Sequence, residues 1–102
     1  MCGIAGFVNR DGDVAERDLL VRMTTTLVHR GPDGEGFYCR GAAALGHRRL
    51  SIIDLAGGSQ PMSNEDGSVW VSYNGEIYNE LPLRERLRER GHTYRTVSDT
   101  ET

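Results

Sequence analysis

The chain has 102 residues, 37% hydrophobic and 26% charged. This size suits one small domain or a piece of a larger one, and excludes a multidomain enzyme within these residues. Twelve basic against fifteen acidic side chains leave a formal charge of −3, so no electrostatic footprint for nucleic acid is present. No apolar run approaches the roughly 18 residues of a membrane span, and the N-terminus lacks the basic and apolar blocks of a secretory signal. No membrane partner is expected, and the default location is cytoplasmic.

In chain order, Cys2–Asn9 is a short apolar stretch closed by the turn cluster Arg10-Asp11-Gly12-Asp13, which predicts a buried strand beginning almost at the first residue. Ala15–His29 places Leu19, Leu20, Met23 and Leu27 on one helical face. Gly31 and Pro32 then end that helix. Gly36–Arg40 and Ala42–Leu50 predict two strands joined at Gly41 as a hairpin. Asp54–Gly67 reads as a long loop, and such loops in compact domains tend to carry function. Ser68–Asn74 is strongly β-prone. Asn79 is placed to cap a helix over Glu80–Arg90, with Pro82 tolerated in its first turn and Gly91 as the stop. His92–Val97 predicts a last strand. Strands with interspersed helices and hairpin connections predict an α+β fold, and the absence of a closing element after Ser98–Thr102 makes the domain look cut short.

All twelve basic residues are arginine, which removes Schiff-base and lysine acid–base chemistry from this stretch. Two cysteines, Cys2 and Cys39, are too few for a disulfide framework. Removal of Met1 would leave Cys2 with a thiol and a free α-amino group of pKa about 7.7–8.0, so one residue would supply both nucleophile and base. A buried structural cysteine is the competing explanation, and the position alone does not separate the two. Asn74-Gly75 is either a hairpin turn or a pair of donors, one side-chain amide and one backbone N–H, able to hold an oxyanion. The following Glu76-Ile77-Tyr78-Asn79 does not read as a return strand. Arg49 at a strand end offers a fork for a substrate carboxylate, whereas its neighbour Arg48 reads as solvated. Glu76 and Asp99 are acceptors suited to an ammonium group, or else ordinary surface carboxylates. His29, His47 and His92 lack metal-ligand spacing, and no metal site is expected.

Six segments carry a family resemblance: MCGIAGF at the start, HRGPDGEG from His29, HRRLSIIDL from His47, GSQPM from Gly58, YNGEIYN from Tyr73 and SDTE from Ser98. In order and spacing the chain resembles the N-terminal glutaminase domain of class II glutamine amidotransferases, and the RLSIID and NGEIYN forms favour the glutamine-hydrolysing asparagine synthetase branch. The resemblance implies the αββα sandwich of N-terminal-nucleophile hydrolases. It implies that Cys2 attacks the side-chain amide of L-glutamine, with Asn74 and Gly75 as oxyanion hole and Arg49 gripping the substrate carboxylate. Leu50, Ser51, Ile52 and Ile53 would line the pocket, and Glu76 and Asp99 would hold the substrate ammonium. No cofactor is implied for this domain. ATP and Mg²⁺ belong to a C-terminal synthetase domain of the same chain, absent here, that would use the ammonia to amidate aspartate. A homodimer is compatible with the resemblance. Residues 1–102 would be the N-terminal part of the sandwich, marginally folded and poorly active when isolated. Two other readings are an amidotransferase acting on a different carboxylate and a non-catalytic regulatory domain.

Overall fold

Alternating residues of strand length, punctuated by glycine, build a three-stranded antiparallel sheet. The computed structural model, which describes residues 1–50 and 57–102, forms it from β1 (Gly3–Val8), β2 (Gly34–Arg40) and β3 (Ala43–Arg49) in the order β1-β3-β2. β2 and β3 make the expected hairpin, and Gly41 at the turn has φ +53°, a conformation that costs glycine little. β1 pairs with β3 from Gly3 opposite Arg48 to Val8 opposite Ala43. This register puts Cys2 beside the C-terminal end of β3.

Helix α1 (Arg17–Thr25) covers one face of the sheet. Leu20 is fully buried among Ala15 and Ala44, with Phe7, Phe37 and Cys39 packed around them. The helix approaches closely because glycines face it: a Cβ on Gly46 would overlap Thr24 Oγ1, and one on Gly3 would press into Leu27. The expected helix to His29 with Leu19 inward is corrected in two respects. The helix stops at Thr25, and Leu19 is 37% exposed while Thr24 takes the buried place. The threonine run explains the first. The hydroxyls of Thr24, Thr25 and Thr26 donate to the carbonyls of Leu20, Val21 and Met23 at 2.7–2.8 Å, and three β-branched residues in succession weaken a helix.

β1 is buried on one face only, with Ile4 and Val8 exposed on the other. That second face is covered toward β2, where β4 (Met62–Ser63) and β5 (Trp70–Val71) pair antiparallel and Trp70 stacks on Tyr38 with ring centroids 4.0 Å apart. The expected loop to Gly67 therefore contains a short strand, and its first residues, Asp54–Ala56, lie outside the described residues. The strand expected over Ser68–Asn74 shrinks to two residues because side chains take the flanking backbone donors. Asn64 Oδ1 accepts from Val69 N at 3.0 Å and Gln60 Oε1 from Tyr73 N at 2.5 Å.

Helix α2 (Glu80–Glu89) carries Pro82 in its first turn and is followed by Gly91 at φ +96°, as expected. Asn79 occupies the cap position but its side chain makes no capping bond. Arg84 is buried, paired with Glu80 and stacked on the Tyr94 ring at 4.2 Å. Its guanidinium donates to Thr96 O at 2.7 Å and Ser98 O at 2.8 Å. Glu101 accepts from the backbone N–H groups of Arg95 and Thr96, both at 2.7 Å. These bonds replace the strand expected over His92–Val97 and lead into a 3-10 turn at Asp99–Glu101. Two helices with antiparallel sheets make the chain α+β, as expected, and no described helix is long and apolar enough to cross a membrane.

Candidate active site

Cys2 is fixed from two sides. Leu50 N donates to its Sγ at 3.4 Å, and its carbonyl accepts from Arg30 Nε at 3.2 Å. A backbone donor aimed at sulfur is suited to stabilise negative charge there. Arg30 is available because the chain leaving α1 turns over Gly31, which is buried against the backbone of Arg48 and Arg49 too tightly for any Cβ. Arg48 corrects its expectation as a solvated residue: its Nε donates to Gly31 O at 2.8 Å, and its guanidinium pairs with Glu35 at 2.7 Å. It holds the turn that presents Arg30.

One residue before Leu50, Arg49 lies against Gly58, where a side chain would overlap the guanidinium. Arg49, Gly58, Glu76, Ile77, Ser98 and Asp99 line one open cavity of about 380 Å³. The sequence-predicted cation and both predicted carboxylates thus meet in one place, although 27 and 50 positions separate Arg49 from them. Asp99 is held by its Oδ2 accepting from Ile77 N at 2.7 Å. A cationic fork together with carboxylates suits a zwitterionic amino acid.

Asn74 and Gly75 are exposed, and among the described residues no hydrogen bond joins either to Cys2. Their turn is folded over Tyr73, whose hydroxyl donates to Glu76 O at 3.3 Å and sits where a Cβ of Gly75 would be. The turn is therefore not the hairpin that Asn-Gly can also signal. Ser51, Ile52 and Ile53 lie outside the described residues.

Two residues of the region were given no role by the sequence. His47 is buried with Nδ1 2.8 Å from Ser72 Oγ, and its Nε2 has no partner among the described residues. Burial, then the charge of Arg49, lowers its pKa below the ordinary 6.5, which favours a neutral ring. Gln60 joins His47, Arg49 and Asp33 around a second, small cavity of about 90 Å³. For His47 a signal existed in the alternation of β3, which puts it on the same face as Ala43 and Leu45. For Gln60 the signal was its place in the GSQPM segment, which carried no role for the side chain.

Residues 1–102 match the family described as Glutamine amidotransferase domain, and the chain belongs to that family. Similar curated proteins carry a more particular name. Asparagine synthetase (glutamine-hydrolysing) 1 of Bacillus subtilis (strain 168) is 45% identical over 104 residues, and asparagine synthetase (glutamine-hydrolysing) 2 of Arabidopsis thaliana is 45% identical over 102. The asparagine synthetase (glutamine-hydrolysing) of Asparagus officinalis is 47% identical over 102. Each match covers 99% of this chain, while the chain spans only 16% or 17% of the relative.

Proposed function

We propose that this chain provides the glutamine-hydrolysing step of an amidotransferase of the asparagine synthetase type. The observation that carries the reading is the meeting of Arg49, Glu76 and Asp99 around one cavity, with Cys2 Sγ held at the next residue, Leu50. Arg49 binds the α-carboxylate of L-glutamine and Glu76 and Asp99 its ammonium. The Cys2 thiolate attacks the side-chain amide carbon. Asn74 and Gly75 donate to the resulting oxyanion, where losing one such donor typically costs about 2.7–4 kcal/mol. The C–N bond breaks, ammonia leaves with the proton taken from the thiol, and water cleaves the γ-glutamyl thioester to glutamate and regenerated thiol.

The base in this scheme is the α-amino group of Cys2. With Met1 attached that nitrogen is an amide and cannot accept a proton, so removal of Met1 is part of the proposal. The ammonia would pass to a C-terminal synthetase domain that amidates aspartate with ATP and Mg²⁺. We read the sheet with α1 on one face as the outer half of an αββα sandwich, and the exposed Ile4 and Val8 support further strands on the other.

Glutamate release from glutamine by the intact protein tests this, with the N-terminus sequenced. Cys2→Ala is expected to abolish release, and Arg49→Lys to raise KM for glutamine about tenfold through loss of the bidentate fork. Undiminished release by Cys2→Ala would refute the reading.

A further inference from the structure

The two segments that carry the ends of the proposed site meet on one side chain. Gln60 Oε1 accepts from Tyr73 N at 2.5 Å, immediately before Asn74-Gly75. Its Nε2 donates to Thr100 Oγ1 at 3.4 Å, immediately after Asp99. The Tyr73 N–H can only donate, which fixes Oε1 toward it and leaves the NH₂ group for the threonine hydroxyl. Gln60 is itself anchored, because its carbonyl lies so close to β2 that a Cβ on Gly36 would overlap it. It also lines the small cavity that Arg49 and His47 share. A primary amide offers a strong acceptor and a strong donor at one branched tip, as this geometry requires.

We propose that Gln60 is a positioning residue that holds the Asn74-Gly75 donors and the Asp99 carboxylate at a fixed separation, so that the amide end and the ammonium end of glutamine are engaged together. This rests on the glutamine-hydrolysis reading above. The bond to Tyr73 is short and the bond to Thr100 long, so the donor segment depends on Gln60 more strongly than the Asp99 segment does. Loss of the first acts on the transition state and so on kcat. Loss of the second acts on ground-state binding and so on KM.

The test is the rate of glutamate release against glutamine concentration in the intact protein with Gln60→Met, Thr100→Val and the double variant. Thr100→Val is expected to raise KM about threefold with kcat within about twofold of the parent. Gln60→Met is expected to lower kcat about tenfold or more and to raise KM by a similar threefold. In the double variant KM should be no higher than with Gln60→Met alone, because both substitutions break one bond. KM effects that multiply, or a Gln60→Met protein with parental kcat, would overturn the proposal. If Gln60→Met does not fold, an unchanged KM in Thr100→Val overturns it. Cys2→Ala run alongside separates the two ideas: full activity there removes the glutamine reading, whereas inactivity there with parental kinetics in the Gln60 and Thr100 variants removes only the positioning role.

Discussion

Leu20 and Arg84 hold matching places in the two halves of the chain. Each lies within a helix, 0% and 5% exposed, and each joins its helix to the structure beside it. Leu20 does so through non-directional burial against Ala44, Phe7 and Phe37. Arg84 does so through an ion pair with Glu80, bonds to the carbonyls of Thr96 and Ser98, and stacking on Tyr94. The difference concerns function as much as stability. Burial of Leu20 fixes no polar group of the site, but a guanidinium bonded to Ser98 O fixes the residue that precedes Asp99. Damage to the fold of the second half therefore reaches Asp99 directly, through Ser98.

Removing each side chain in turn separates the two kinds of anchoring. Arg84→Met strands the Glu80 carboxylate and two carbonyls, and losing one partner of a buried pair typically costs about 3–5 kcal/mol. We expect a loss of that order in urea unfolding together with a raised KM for glutamine. Leu20→Ala should lose about 2–5 kcal/mol by cavity formation and leave the KM of the folded fraction unchanged. Equal KM values in the two variants would show that the halves do not differ as described. Next in size, Gly46→Ala drives a methyl into Thr24 Oγ1 and should cost about 1–3 kcal/mol by overpacking. Thr24→Ala in the same protein should recover part of that loss, and an additive double variant would place the strain elsewhere.

The halves also differ in how far their sequences disclose them. The hairpin at Gly41, the strand after Cys2 and the inward Leu20 follow from alternation, helical periodicity and turn residues, which are local signals. The region from Gln60 to Thr102 depends on side chains satisfying distant backbone groups, such as Gln60 with Tyr73 N and Arg84 with Thr96 O. No periodicity encodes these, so His92–Val97 reads as a strand although Arg84 and Glu101 take its hydrogen-bonding groups. Arg48 misleads for the same reason, since its partners are Gly31 and Glu35 in other elements. Within the candidate site, Arg49, Glu76 and Asp99 are legible as chemistry and by family resemblance, whereas Gln60 is marked only by its place in GSQPM and its partners, Tyr73 and Thr100, are not legible.

Acid should act on both halves, at different pH. Buried neutral His47 has its pKa lowered, so the unfolded chain binds a proton that the folded chain resists. Its contribution is complete above pH 6.5 and is lost as pH falls from there through the folded value. For Glu101, burial alone would raise the carboxyl, but bonds from Thr96 Oγ1, Arg95 N and Thr96 N, with the charge of Arg84, outweigh it and lower the pKa. Its contribution is present above the ordinary 4.5 and is lost as pH falls through the folded value. Urea unfolding across pH should show a decline beginning near 6.5 that His47→Asn removes, and a later one that Glu101→Gln removes. Flat stability from pH 6.5 to 5 would contradict the placement of His47.

The smallest expected effect bears on the same contrast. Asn79 precedes α2 with φ −98° and ψ 29° and makes no side-chain cap bond, whereas a working cap is typically worth about 1 kcal/mol. If directional bonds from Arg84 and Glu80 hold the start of α2, Asn79→Ala should change unfolding free energy by less than about 0.5 kcal/mol. A loss near 1 kcal/mol would mean that Asn79 caps the helix in solution. The second half would then depend less on Arg84 than its geometry indicates, and the expected gap in KM between Arg84→Met and Leu20→Ala would narrow with it.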